Sequence, residues 1–261
     1  MKIVTFIKHV PASAVVPRIA ESGIQIEQDG IACEVNETDL YALEEALYQR
    51  SVHQGQVTAV TIGSGRAKDA LYLAYAKGVD HAVHVIDEAF RGTNPLFSVR
   101  AGAETAKKIQ PDIIFTGVQA EDDLQGQFGV ALAEALSLPV MTAVSEVRAD
   151  PNKGIVTVIR ELGAGFKEEI EVDLPCVLTV QFGIRPIRYT PVMAIVKARS
   201  RTIETIAADA LSCGEKESAP AGIRVAQLAY PPNTSNCEFI PGSAHEAAVS
   251  LVNRLVDRGV V

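Results

Sequence analysis

Apolar residues in the first half of the chain follow two alternating rhythms. Residues 2–8, 57–62, 81–86 and 112–116 are short, β-branched and almost continuously apolar, the pattern of strands covered on both faces. Between them, apolar positions recur at helical spacing: Leu40, Leu43 and Leu47; then Ala67, Ala70, Leu71 and Ala74, stopped by Gly78; then Val99, Ala103 and Ala106. A fourth helix is predicted over 124–136, ending before Pro139. Alternating strands and helices of this length imply right-handed crossovers and a parallel sheet. The predicted fold is therefore an α/β, doubly wound, mostly parallel sheet with helices on both faces.

Two antiparallel interruptions are expected. Residues 23–27 and 32–35 flank the turn dipeptide Asp29-Gly30, and 154–160 and 166–172 flank Gly163-Ala164-Gly165. A buried strand resumes over 176–180. Beyond Thr202 the pattern breaks down, and 205–242 is rich in Ala, Pro, Ser and Asn without sustained periodicity. Ser243 with Glu246 three residues on forms a capping box. The apolar stripe Ala248, Leu251, Val252 and Leu255 follows, and Gly259 ends it. The division expected is a nucleotide-binding domain over 1–204 and a C-terminal arm and helix over 205–261. An apolar stripe at the end of such an arm needs a cover: a subunit interface is the expectation, and folding back onto the chain's own core is the alternative.

Composition narrows the choice of partner. The 261 residues carry 24 Lys+Arg against 32 Asp+Glu, a formal net charge of −8, which argues against nucleic acid or an anionic membrane surface. The first apolar run stops at Lys8, too soon for a signal-peptide core, and no stretch approaches a membrane span. Cys33, Cys176, Cys213 and Cys237 show no metal or redox spacing, so a reduced, cytoplasmic protein is expected.

In a doubly wound sheet, ligands sit beyond the C-terminal strand ends where strand order reverses. Three loops qualify: His9-Val10-Pro11-Ala12-Ser13, Gly63-Ser64-Gly65-Arg66, and the run Thr116-Gly117-Val118-Gln119-Ala120-Glu121-Asp122-Asp123-Leu124-Gln125-Gly126-Gln127-Phe128-Gly129. The second is a tight turn, because Lys68 stands where a dinucleotide fingerprint needs its third glycine. No Walker sequence, nucleophile elbow or metal-ligand spacing of the five histidines occurs. The third loop is the informative one. Its small residues let a ligand approach the backbone. Its acidic turn would complement a helix dipole. Three glutamines interleaved with glycines suit a base, a ribose or phosphate oxygens.

This run resembles the nucleotide-binding loop of electron transfer flavoprotein beta subunits. Asn36-Glu37-Thr38-Asp39 followed by Ala42-Leu43-Glu44-Glu45-Ala46 resembles that family's Asn-Pro-x-x and Ala-x-Glu-Glu-Ala segment. The stretch from Ala74 through Gly78 and Asp80 into a strand is similar to its Ala-Met-Gly-Ala-Asp stretch. Arg160-Glu161-Leu162, Leu174-Pro175, Arg188-Tyr189 and Lys197-Ala198-Arg199 resemble its remaining signatures. The resemblance runs over nearly the whole chain.

The resemblance implies a heterodimer with an alpha subunit holding the redox-active FAD, while this chain binds a buried nucleotide: AMP in the ordinary branch, a second FAD in electron-bifurcating members. It places nucleotide contacts on Phe6, on Asn36, Glu37, Thr38 and Asp39, on Ile62, and along the loop from Gly117 to Phe128. Leu124 and Gln125 stand where bifurcating members have Asp and Thr, and Gly126 and Phe128 replace the Asn and Thr of the AMP form; AMP is the expectation. No catalytic residue and no metal is expected, because the flavin supplies the redox chemistry. Residues 186–198 resemble the loop that docks a dehydrogenase (an acyl-CoA dehydrogenase, for example), with Val192 as its apolar anchor and Arg188, Tyr189, Lys197 and Arg199 beside it. A membrane quinone reductase is the implied acceptor. The alternatives are a bifurcating subunit that oxidises NADH with its own FAD, and a non-redox adenine-nucleotide-binding regulatory protein.

Overall fold

The first strand, β1 (Lys2–Phe6), lies near the middle of a nine-stranded sheet in the computed structural model. On one side of it follow β4 (Gln56–Gly63), β5 (His81–Ile86) and β11 (Glu204–Ala207). On the other follow β6 (Ile113–Gly117), β10 (Cys176–Val180), β7 (Val140–Asp150), β8 (Ile155–Gly163) and β9 (Phe166–Asp173). The seven strands from β11 to β7 run parallel, and β8 and β9 add antiparallel ribbons at one edge. Described are residues 1–27, 29–86, 95–207, 210–211, 225–232 and 237–260.

The continuous apolar runs arise because successive strand residues enter different cores. Ile3, Ile113, Phe115 and Leu178 join Leu43 and Leu47 of α1 (Glu37–His53) and Leu71 and Ala74 of α2 (Lys68–Lys77) in one cluster. Val4, Ile114 and Val177 join Ala101 and Ala103 of α3 (Pro95–Ile109) and Leu132 and Ala133 of α4 (Phe128–Leu136) in the other. Both faces of the central strands are thereby covered, each large aliphatic side chain contributing about 1.5–3 kcal/mol. Cys176 is one of these core residues, and burial pushes its thiol up to about 12.

Three local features depart from the sequence expectation. Residues 23–27 do not pair with 32–35. Ala20 N–H donates to Gln25 O and Glu27 N–H to Arg18 O, so that segment folds back on 18–20, while β3 (Cys33–Val35) pairs antiparallel with β2 (His9–Pro11). The fourth helix starts at Phe128 rather than Leu124, because Leu124 (φ 53°) and Gly126 (φ 61°) both adopt the left-handed conformation. Its first turn carries no acidic residue, so the 121–123 carboxylates do not serve the α4 dipole. The strand β7 was not anticipated. Its burial is mixed, and its C-terminal part pairs with β8 across a register shift.

Two compact units divide the chain, Met1–Ala226 and Gln227–Val261. Of the predicted arm, 208–209, 212–224, 233–236 and 261 lie outside the described residues, Cys213 among them. Within the second unit, α6 (Ala244–Asp257) forms the expected capping box. Ser243 N–H donates to Glu246 Oε2 at 2.8 Å, and Glu246 N–H donates to Ser243 Oγ at 3.4 Å. Ser243 N–H and the Ser243 hydroxyl, both donating to Oε2 at 2.8 Å, hold the Glu246 carboxyl below its ordinary value. Among the described residues, no helix is long and apolar enough to cross a membrane.

Candidate functional site

Strand order reverses between β1 and β6, and the crevice opens beyond their C-terminal ends. The start of α1 closes one wall. Asn36 N–H donates to Lys8 O at 2.9 Å, tying the helix entrance to the end of β1. Asp39, one turn on, is buried and uses both carboxylate oxygens: Lys8 N–H donates to Oδ2 and Gly117 N–H donates to Oδ1, each at 2.8 Å. Burial raises the Asp39 pKa to about 6, against the opposing pull of these bonds, Asn36 and the Lys8 charge. A side chain at Gly117 would run into Thr38 Oγ1 and come within 2.5 Å of Asp39 Oδ1. Glycine is required there for the chain's own close approach.

The loop after β6 is then carried by α1. Asn36 accepts from Glu121 N–H at 3.0 Å and donates to Gln119 O at 3.0 Å, and the Thr38 hydroxyl donates to the same carbonyl at 2.7 Å. The polar atoms of Asn36, Thr38 and Asp39 thus reach backbone at 8, 117, 119 and 121. Glu37 faces solvent. Across the loop, Lys8 Nζ pairs with Asp122 at 2.6 Å and Asp123 at 2.9 Å. Partial burial opposes the Lys8 charge, but these two carboxylates outweigh it and raise the ammonium above its ordinary value. Partial burial, with the carboxylates of Glu37, Glu34 and Asp122, raises the Glu121 carboxyl. Gln119, Gln125 and Gln127 are exposed along the rim, and Gln127 precedes α4 without capping it through its side chain.

An apolar floor lies beside this rim. Phe6 and Phe128 meet edge to face with ring centroids 5.2 Å apart. Both reach over Gly102 of α3, where a Cβ would come 3.2 Å from Phe128 Cζ, 3.3 Å from Phe6 Cε1 and 3.5 Å from Ile62 Cδ1. At the start of α4, Gly129 sits so tightly on Thr116 and Thr179 that a Cβ would come within 2.6 Å of both. The helix N-terminus is therefore held against the β6 and β10 ends. Phe6 is buried in the core and Ile62 and Phe128 are half-buried, so the exposed amides and the first N–H groups of α4 are the donors that would suit an adenine nucleotide there. Among the described residues, no group of three His, Cys, Asp or Glu could hold a metal.

The candidate residues thus form three sets: Phe6, Ile62 and Phe128 in the floor; Asn36, Thr38 and Asp39 as struts beneath Gly117, Val118, Gln119 and Ala120; and Glu121 to Gln127 as the exposed rim. Sequence reasoning missed Gly102, whose only signal is a glycine inside a helical pattern. It also missed Lys8 as counter-ion to the acidic turn.

The second candidate surface follows β10. Tyr189, Val192 and Met193 are exposed, the last two at the start of α5 (Val192–Ala198). The basic cluster around them is divided. Arg185 and Arg188 are bound to Glu45 and Glu44 of α1, each at 2.6 Å, and Arg201 lies over the Tyr75 ring and donates to Asp80 O. Lys197 and Arg199 are left at the surface.

A doubly wound domain with a strut-held loop at its switch point and an exposed apolar helix start defines the class. Residues 24–211 match the electron transfer flavoprotein domain. The electron transfer flavoprotein subunit beta of Methylophilus methylotrophus is 32% identical over 256 residues, covering 97% of each chain. The FixA protein of Sinorhizobium fredii is 32% identical over 86% of this chain and 79% of its own length. The caffeyl-CoA reductase-Etf complex subunit CarD of Acetobacterium woodii is 31% identical over 100% of both. The chain belongs to the electron transfer flavoprotein beta-subunit family.

Proposed function

We propose that this chain is the beta subunit of a heterodimeric electron transfer flavoprotein that holds AMP as a structural ligand. It relays electrons from a dehydrogenase to a downstream acceptor through FAD carried mainly by the alpha subunit. The observation that carries the nucleotide reading is the juxtaposition of the Phe6, Ile62 and Phe128 floor with a loop whose backbone is fixed from below by Asn36, Thr38 and Asp39. The flavin supplies the electron-carrying chemistry, and this chain's residues bind, orient and exclude water. Of the arm 205–261, the part beyond the sheet strand β11 packs on the alpha subunit. Tyr189 and Val192 meet a dehydrogenase of the acyl-CoA type, Arg188 anchors their segment, and Lys197 and Arg199 steer an acidic surface toward it. A membrane quinone reductase takes the electrons, and the protein works in the cytoplasm.

Purification of the native complex, with ligand extraction and identification by mass and absorbance, tests this. One flavin with one AMP per heterodimer supports it. Two flavins replace it with the bifurcating reading, in which this chain's own FAD takes electrons from NADH. ATP turnover with no flavin points to a regulatory nucleotide-binding protein. Gln127→Leu is expected to weaken AMP retention by about 1–3 kcal/mol, and unchanged AMP content would remove that residue from the site.

A further inference from the structure

The pairing of β1 with β6 runs from Ile3↔Ile113 to Thr5↔Phe115. Beyond that register the two strands have parted, and the backbone N–H groups of Lys8 and Gly117 point into the gap. Both donate to one side chain, Asp39, at 2.8 Å. A carboxylate is the side chain of this length with two acceptors and no donor. Asparagine would turn an amide NH2 toward one of the two N–H groups. Burying a carboxylate is costly, and here the cost is accepted at the place where the crevice opens.

We infer that Asp39 is a positioning residue, holding the parted ends of β1 and β6 at one carboxylate so that residues 118–127 keep the shape that receives the nucleotide. This rests on the nucleotide reading above. Asp39 acts through the loop backbone. Gly117 N–H fixes where the loop starts, Thr38 and Asn36 fix Gln119 and Glu121, and Lys8, whose N–H Asp39 holds, grips Asp122 and Asp123. The charge that faces Asp39 is the Lys8 ammonium, raised in pKa and charged throughout the range from pH 5 to 8. Asn36 from α1 and Gly117 from β6 bring hydrogen bonds but no titrating group. The ionised form of Asp39 is the one that accepts two N–H bonds, so nucleotide binding falls as Asp39 takes up a proton near pH 6.

The test compares AMP affinity of the native complex with that of its Asp39→Asn variant from pH 5 to 8. The phosphate of AMP titrates in both and cancels in the ratio. At pH 7.5 the variant is expected to bind AMP ~10–100-fold more weakly, the loss of one charge-assisted hydrogen bond, and the gap is expected to close below pH 6. A ratio near one, or a ratio that does not change with pH, overturns the inference. If the variant does not fold, amide exchange of the wild type decides. Lys8 and Gly117 N–H as slow as the sheet interior supports the clamp, and fast exchange at either overturns it. If the wild type binds no AMP at any pH, the nucleotide reading fails by itself. Exchange at 117–127 in Asp39→Asn then decides on the clamp: faster exchange confined to those residues supports it, and unchanged exchange overturns it.

Discussion

Arg185 donates from Nε to Glu45 Oε2 at 2.6 Å while its guanidinium lies 3.4 Å from the centroid of the Tyr48 ring. Glu45 is wholly buried and takes a second bond from Gln49 Nε2 at 2.7 Å. Its neighbour Glu44, also buried, accepts from Arg188 Nε at 2.6 Å and from Lys77 Nζ at 2.8 Å. Two adjacent acidic residues of α1 thereby hold the segment that leads into α5. The Ala-x-Glu-Glu-Ala pattern and the Arg-Tyr pattern, far apart in sequence, are two halves of one joint.

Removing Arg185 leaves Glu45 buried with an amide as its remaining side-chain partner. Arg185→Ala is expected to lower stability by about 2–4 kcal/mol, because an uncompensated buried carboxylate is expensive. Arg185→Lys should recover only part of this, since an ammonium lacks the planar face that stacks on Tyr48. Urea unfolding of the three proteins checks both statements. A loss under about 0.5 kcal/mol for the alanine variant would mean the joint is dispensable.

Gly117→Ala should be among the most damaging single-methyl changes in the chain. The added carbon meets Thr38 Oγ1 and Asp39, which belong to a helix held at both ends of its first turn and cannot retreat without breaking the bonds to Gln119 O and Gly117 N–H. The expected cost is about 1–3 kcal/mol by overpacking, together with loss of bound nucleotide. Gly129→Ala, pressed on Thr116 and Thr179, should behave similarly. Gly65→Ala, with open space around it, is the control and should be near neutral. Thermal melts of the three variants would rank them, and equal melting temperatures would refute the packing argument.

The sheet was legible because central parallel strands bury both faces, so their apolar runs stand out against the helical rhythm. β7 did not stand out, because Thr142, Ser145, Glu146 and Arg148 break the run on a strand that is only half covered. The start of α4 was misplaced by four residues, since the left-handed backbone at Leu124 is a tertiary outcome: Leu124 N–H bonds back to Ala120 O within a loop anchored elsewhere. The site loop was located from its glycines and amides, yet the glycine logic was incomplete. Gly117 and Gly129 make room for Thr38, Asp39, Thr116 and Thr179 of this chain, a relationship between distant segments that local sequence cannot display.

Asp39 gives a pH signature to stability as well. Its carboxyl titrates near 6 in the fold and near 3.8 when exposed, so the folded state holds the proton more tightly between those values. The charged form therefore costs stability above about pH 6, and the cost is relieved as pH falls toward 4. Relative to Asp39→Asn, the wild type should gain about 2 kcal/mol between pH 7 and pH 4.5. Denaturant unfolding of both proteins at the two pH values measures this. Parallel pH profiles would show that Asp39 titrates normally in the fold.

Val192 offers a change that separates docking from folding. With Tyr189 and Met193 it forms an exposed apolar face at the start of α5, anchored from behind by the Glu44 and Glu45 joint rather than by its own burial. Val192→Asp should leave stability within about 0.5 kcal/mol and nucleotide content unchanged, because the side chain contributes little to either core. A carboxylate at the centre of an apolar contact should nevertheless slow electron exchange with the dehydrogenase ~10-fold or more, the size of one anchor residue. Stopped-flow reduction of the flavoprotein by its dehydrogenase, run beside Arg185→Ala, distinguishes the face from its support. Arg185→Ala should lose both stability and rate, Val192→Asp rate alone. An undiminished rate in Val192→Asp would place the docking face elsewhere on the chain.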